Sequence, residues 1–322
     1  MLGLIFDKKL IFKNNIPLPV PAKDEALIKV LISGICNTDL EIVKGYMGFR
    51  GILGHEFVGI VEQCKDKRWI GKRVVGEINI GCNRCSYCKT GLRNHCPDRK
   101  VLGILNKDGA FAEYLTLPLK NLHIIPSSIS DKEAVFIEPL AACFEVLEQV
   151  RIGTSDKVVV LGDGKLGLLM AQVIKTTGCI SYLIGKHEEK LSVARSFGIE
   201  TVLLNEILDG KKLKAGEVAI VVDCTSSHEG LSLAINLTKP KGKIILKSTY
   251  ASNMPLNLSP VVINEISIIG SRCGPFKKAI DALKRKKIII SPLIYKTFPL
   301  KDGLKALEAA GKNSVLKVLL RL

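Results

Sequence analysis

Four cysteines crowd into the sixteen residues from Gly81 to Cys96, spaced C-x2-C-x2-C-x7-C: Cys82, Cys85, Cys88 and Cys96. Thiolates at that density can close a tetrahedral shell around one ion, and a sulfur-only shell favours zinc or an iron–sulfur cluster over hard cations. The spacing departs from the ferredoxin patterns and no second cluster motif follows, so zinc is the expected ion. With four protein ligands in place, such an ion has no position left for substrate. It explains stability, and the reacting groups must lie elsewhere.

Three other fragments carry metal-competent side chains: Cys36, the pair His55-Glu56, and Glu138. A catalytic zinc takes three protein ligands of N, S or O type and leaves the fourth position open. Taken singly, each of these residues is ordinary. A second kind of chemistry is marked by Gly162-Asp163-Gly164-Lys165-Leu166-Gly167, a G-x-G-x-x-G turn. It directly follows the apolar stretch Val158–Leu161 and opens a helical pattern, the context in which the motif signifies dinucleotide binding. Gly162 permits the tight turn, Gly164 lets backbone approach a pyrophosphate, and Gly167 lets helix pack on strand. Lys165 and Leu166 stand between the glycines, ahead of an apolar helix expected over Leu168–Lys175 whose N-terminus offers free N–H groups to the anion.

The tip of the next strand selects the cofactor, because an NAD site places an acid there on the ribose hydroxyls. Here the strand ends in Gly185-Lys186-His187. A glycine with cationic neighbours leaves room for a 2′-phosphate, so NADP(H) is favoured over NAD(H). The rival ribose ligands are Glu188 and Glu189, which are equally accounted for as first-turn acids of a helix.

The elements that must position these groups fall into two styles. The first third is β-rich with glycine at its corners: strands are expected near Ala26–Ile32, after Gly54-His55-Glu56, at Val74–Val75 and across Gly109–Leu115. From Lys132 the period becomes helical, through Glu138-Pro139 to Val150. Strands then alternate with helices: Lys157–Leu161, Ile180–Ile184, Thr201–Leu204, Val218–Val222, Lys243–Leu246 and Ile266–Ile269. That order predicts a doubly wound parallel sheet of six strands. The segment from Cys273 onward mixes both signals and is expected to return to the first domain.

Bulk properties narrow the class. The chain has 322 residues, 47% hydrophobic and 24% charged, ordinary for a soluble globular protein with room for two cores. Neither a signal peptide nor a membrane-length apolar run is evident, so a cytoplasmic setting is expected, in which clustered cysteines mean metal more often than disulfide. A net charge of +16, with basic runs at Lys211–Lys214 and Lys284–Lys287, is spread along the chain without any nucleic-acid-binding module. It reads as a solvated lysine-rich surface, with neither nucleic acid nor membrane as partner.

These fragments resemble the zinc-containing medium-chain dehydrogenases/reductases, the family of alcohol, sorbitol, threonine and glucose dehydrogenases. The likeness rests on GICNTD at Gly34–Asp39, GHEFVG at Gly54–Gly59, the four-cysteine lobe, IEPLA at Ile137–Ala141 and GDGKLG at Gly162–Gly167, in family order. It implies a β-rich GroES-like catalytic domain, residues 1–145 and 274–322 with a zinc lobe at 81–97, and a Rossmann domain at 146–273. It implies two zinc ions per chain, one structural and one catalytic. Cys36 and His55 become ligands of the catalytic ion, Glu138 or Glu56 binds the ion or holds its water, Asp39 orients the His55 ring, and Thr38 accepts the substrate's hydroxyl proton as the first member of a relay. The implied reaction is hydride transfer between an alcohol or polyol, or the matching carbonyl compound, and a nicotinamide cofactor, in a homodimer or homotetramer. A non-catalytic nucleotide-binding sensor on the same scaffold is the alternative. The chain departs from classical alcohol dehydrogenases in carrying Leu40 and Glu41 where a relay histidine is common, and Asn37 where glycine or arginine is frequent.

Overall fold

The computed structural model describes residues 1–209, 212–249 and 256–322, which leaves Lys211 of the first basic run outside the described residues. The chain divides into two compact units. One comprises Met1–Glu138, Ala279–Arg285 and Ile290–Leu322, and the other Pro139–Lys278 and Lys286–Ile289.

The first unit is built around the strand Glu25–Gly34, whose run of alanine, leucine, isoleucine and valine is buried over most of its length. β-branched residues fit such a pleated, covered surface. Around it lies a seven-stranded sheet in the order Leu122–Ile124, Arg73–Gly76, Glu56–Gln63, Glu25–Gly34, Lys317–Arg321, Ile294–Pro299, with Tyr114–Pro118 pairing on Glu25–Lys29. Its register matters for the chemistry. Gly34 stands opposite Glu56 on one side and Leu319 on the other, both antiparallel. The last turn of the central strand therefore gathers the start of one neighbour and the start of the other, just where Cys36 leaves the sheet. Leu4, Ile35, Ile42, Leu53 and Phe111 pack into a core beside this corner.

The strand expected across Gly109–Leu115 begins only at Tyr114. Gly109, Ala110 and Phe111 instead donate backbone hydrogen bonds of 2.8 Å to the carbonyls of Ile52, Gly54 and Leu53. A Cβ on Gly109 would strike that backbone, so glycine here marks a close approach of two loops rather than a strand.

The second unit carries six parallel strands in the order Glu200–Leu203, Ile180–Gly185, Lys157–Leu161, Val218–Asp223, Thr238–Leu246, Ser267–Gly270. The central strands are apolar runs, as a sheet covered on both faces requires. Val159, Val221 and Ile244 are wholly buried. The strand order reverses beside Lys157–Leu161, the position at which open sheets of this class bind ligands. Helix Lys165–Lys175 starts three residues before the apolar pattern at Leu168, because the last glycine of the turn is already helical. Among the described residues, no helix is long and apolar enough to cross a membrane.

Candidate active site

At the corner of the seven-stranded sheet, Cys36, His55 and Glu56 each offer a ligand atom, and those atoms lie within 4.8 Å of one another. Local structure explains each placement. Cys36 precedes the short helix Asn37–Val43, and the Asp39 carboxylate turns back to accept the Cys36 N–H at 2.8 Å. The other Asp39 oxygen lies 3.2 Å from His55 Nδ1 and accepts the Gly54 N–H at 3.3 Å. Asp39 is fully buried. One carboxylate thus fixes the cysteine loop and stands beside the imidazole, whose Nδ1 is buried without a hydrogen-bond partner, which leaves the other ring nitrogen for a ligand bond. Burial alone would push the His55 imidazole toward neutrality, but the Asp39 charge outweighs it and holds the pKa well above the usual histidine range. Thr38 Oγ1 sits 3.7 Å from Cys36 Sγ.

Glu56 faces two ways. Its Oε2 pairs with the Lys317 ammonium, and both side chains are at most 2% exposed. Lys317 also reaches the Ile35 carbonyl at 3.4 Å and lies 5.5 Å from the centre of the Phe136 ring. Burial works against the Lys317 charge, but Glu56, with help from Cys36 and Asp39, raises its pKa. Gly34 is required here, because a Cβ on it would run into Glu56 Oε2. The second oxygen, Oε1, is buried without a hydrogen-bond partner. An orphaned carboxylate oxygen beside a thiol and an imidazole is the chemistry of a metal ligand, and the three residues fit a zinc ion with an open position. Glu138 begins the helix Ile137–Gln149, half-buried, and does not belong to the group of three. Lys317 escaped the sequence reading; its only signal is a lone lysine opening the otherwise apolar run Lys317–Leu320.

The other metal-competent group among the described residues is Cys82, Cys85, Cys88 and Cys96. The lobe is clamped at its base by Asn79–Ile80 pairing with Lys100–Val101. Cys85 and Cys96 sulfurs are 3.7 Å apart, and the ten cysteines of the chain are all free thiols. Backbone N–H groups of Arg84 and Cys85 hold the Cys82 thiol down at about 6. The Cys88 N–H draws Cys85 the same way, yet burial and the crowding sulfurs push it up to about 11. Four sulfurs this close resist joint ionisation unless a cation neutralises them, which is the condition zinc satisfies. Cys96→Ser is expected to remove one zinc equivalent per chain and open the lobe to proteolysis. Metal analysis and limited digestion check this, with nucleotide binding as the unaffected control.

In the second unit, Gly162 adopts φ +106° and donates its N–H to the Ile184 carbonyl at 2.9 Å. A Cβ on Gly167 would overlap the Gly162 carbonyl oxygen, whereas Gly164, the residue capping helix Lys165–Lys175, has open space where its Cβ would be. That opening at a helix N-terminus fits the pyrophosphate of a dinucleotide. Gly185, Lys186 and His187 follow at the tip of the neighbouring strand, and Asp163 reaches across to them. Its Oδ2 accepts the N–H groups of Lys186 and His187 at 2.7 and 2.8 Å. Sequence pattern gives Asp163 no role; its signal is an acid between the first two glycines of the motif.

Two family descriptions match: "Alcohol dehydrogenase GroES-like domain" over residues 22–127 and "Zinc-binding dehydrogenase" over residues 166–285. A sorbitol dehydrogenase of Halalkalibacterium halodurans is 32% identical, with 94% of this chain and 93% of that protein covered. A D-arabitol-phosphate dehydrogenase of Enterococcus avium is 28% identical over 95% of this chain and 92% of its own length. Among solved structures, a zinc-binding dehydrogenase of Sinorhizobium meliloti bound to NADP superposes with a TM-score of 0.90 at 26% identity, covering 100% of this chain and 99% of the other. An alcohol dehydrogenase of Escherichia coli complexed with NADH superposes equally well, TM-score 0.90 at 27% identity, with the same coverage of both chains.

Proposed function

The chain belongs to the zinc-containing medium-chain dehydrogenase/reductase family, and we propose that it transfers hydride between an alcohol or polyol and a nicotinamide cofactor. The observation that carries this reading is the buried group Cys36, His55 and Glu56 with Glu56 Oε1 left unpaired. Relatives named for sorbitol and arabitol phosphate support a polyol or a polyol phosphate as substrate.

Zinc, when bound, supplies Lewis-acid polarisation of the alcohol or carbonyl oxygen, and the nicotinamide supplies the hydride chemistry. The chain's own residues do the rest. Cys36 and His55 hold the ion, and Glu56 offers the third ligand atom, since of the two acids expected to compete for that place it is the one already gathered. Glu138 keeps the role of the exchanging acid. Asp39 orients the His55 ring, and Thr38 receives the hydroxyl proton as the first member of a relay, passing its own proton onward. Cys82, Cys85, Cys88 and Cys96 hold the second ion, giving two per chain. Gly162, Gly164, Lys165, Leu166 and Gly167 cradle the pyrophosphate, with Gly185, Lys186 and His187 at the ribose end. An NADP(H) preference rests on those last three residues read alone. Residues 1–145 with 274–322 serve as the catalytic domain and 146–273 as the nucleotide-binding one. Zinc analysis together with NAD⁺ and NADP⁺ turnover over a panel of alcohols and polyols tests the reading. A chain replete with two zinc ions that turns over none of them is a binding protein on an enzyme's scaffold.

We propose a homodimer or homotetramer as the working assembly. Among the described residues the edge strand Ser267–Gly270 pairs on one side only, and Val262 and Ile263, in the helix Ser259–Ile263 that precedes it in sequence, are 75% and 77% exposed. An open edge flanked by apolar side chains is a template for a second copy. Val262→Glu combined with Ile263→Glu is expected to shift sedimentation to a monomer, and an unchanged oligomer would relocate the interface.

A further inference from the structure

The tip of the second strand of the parallel sheet has a glycine in sequence but a carboxylate in space. A Cβ on Gly185 would meet Asp163 Oδ2 at 2.5 Å, Cβ at 2.6 Å and Cγ at 2.8 Å. The volume that a tip side chain would take is therefore filled by Asp163, which arrives from the glycine-rich turn. Asp163 is 7% exposed, so its charge is held in place rather than solvated away. Its Oδ2 takes the Lys186 and His187 N–H groups, and His187 Nδ1 lies 3.0 Å from Oδ2 and 3.1 Å from Oδ1.

We propose that Asp163 is the residue that selects the cofactor, making this chain bind NAD(H) in preference to NADP(H). Four physical arguments support it. An acid on the ribose diol is the general device of NAD sites, and here the acid comes from the neighbouring turn instead of the strand tip. Oδ1 keeps acceptor capacity for a ribose hydroxyl, since a carboxylate oxygen takes more than one hydrogen bond. The N–H groups of Lys186 and His187, which precede helix Glu188–Ser196 and could have held a phosphate, are already consumed. A 2′-phosphate would meet a fixed negative charge, with Glu188 and Glu189 following in the first helical turn. The opposing groups are the His187 imidazole, already seated on Asp163, and exposed Lys186, which shares its field with Glu229. Read alone, Gly185, Lys186 and His187 favour NADP(H); with Asp163 among them the balance tips the other way.

The inference rests on the dehydrogenase reading only in requiring that this turn bind a nicotinamide dinucleotide, so binding can be measured without substrate. Nicotinamide fluorescence titration of the full chain is expected to give NADH a dissociation constant about tenfold or more below that of NADPH. Competition by 5′-ADP and 2′,5′-ADP should follow the same order. Asp163→Asn, which keeps an acceptor for the two N–H groups but loses the charge, is expected to shrink the ratio about tenfold by gaining NADPH and losing NADH. A merely structural role would weaken both dinucleotides alike, and that result overturns the proposal. So does tighter NADPH binding by the unaltered chain, a comparison that stands even if the variant fails to fold. Binding of neither dinucleotide by folded protein would instead remove the nucleotide-site reading itself, whereas a clear NADH preference without turnover of any alcohol would leave this inference standing and the enzyme in question.

Discussion

Replacing His55 with alanine is expected to lower kcat/KM by about a thousandfold or more. The residue is 3% exposed, and its ring is aimed by fully buried Asp39. Its loss removes the nitrogen ligand and leaves only Cys36 and Glu56 of the gathered group. Lewis-acid polarisation supplies several kcal/mol to reactions of this class. At about 1.4 kcal/mol per factor of ten, losing ~4 kcal/mol gives that thousandfold drop. The variant should retain the zinc proposed for Cys82, Cys85, Cys88 and Cys96 and keep its affinity for NADH. Retention of both zinc ions and of full turnover would show that the metal chemistry resides elsewhere.

Lys317→Met should have the second-largest effect, and on stability first. Lys317 and Glu56 are 2% and 1% exposed as side chains, so neither charge can be rescued by water. Removing one partner of a buried pair costs about 3–5 kcal/mol, because the survivor is left as an uncompensated anion. The cost should be greatest in chelator-treated protein. Zinc loading should recover part of it, since the ion supplies the positive charge that methionine lacks. Adding Glu56→Gln to Lys317→Met should also recover much of the loss, leaving a neutral pair. Urea midpoints of the single and double variants, with and without zinc, check the series. Equal midpoints for the single variant and the unaltered chain would mean that Glu56 is neutral or otherwise paired.

What was legible in the sequence was local. The cysteine lobe needs only fifteen residues of chain to bring its sulfurs together, so spacing alone predicts the cluster. The G-x-G-x-x-G turn carries its strand and its helix on either side, and the alternation that follows specifies a parallel sheet through hydrophobic period. Illegible parts depend on pairings made far along the chain. Lys317 reads as an edge charge until the register places Leu319 opposite Gly34, and Gly34 opposite Glu56. Gly185 reads as empty space for a phosphate until Asp163 is found filling it. Glu138 and Glu56 are equivalent acids on paper; among the described residues it is Glu56 whose ligand atom groups with those of Cys36 and His55. Gly109–Phe111 has the composition of a strand, yet its hydrogen bonds go to a loop.

The pairing of Lys317 with Glu56 spans 261 residues of chain. Ribosomal synthesis proceeds at about 5–20 residues per second, so roughly 13–50 seconds separate the two side chains at birth. During that interval the nascent polypeptide presents an acid, a thiol and an imidazole without their ammonium counterpart. The cysteine lobe, complete once Cys96 emerges, faces no such delay. The two metal positions therefore mature on different clocks, the lobe early and the sheet corner only as the closing strand docks.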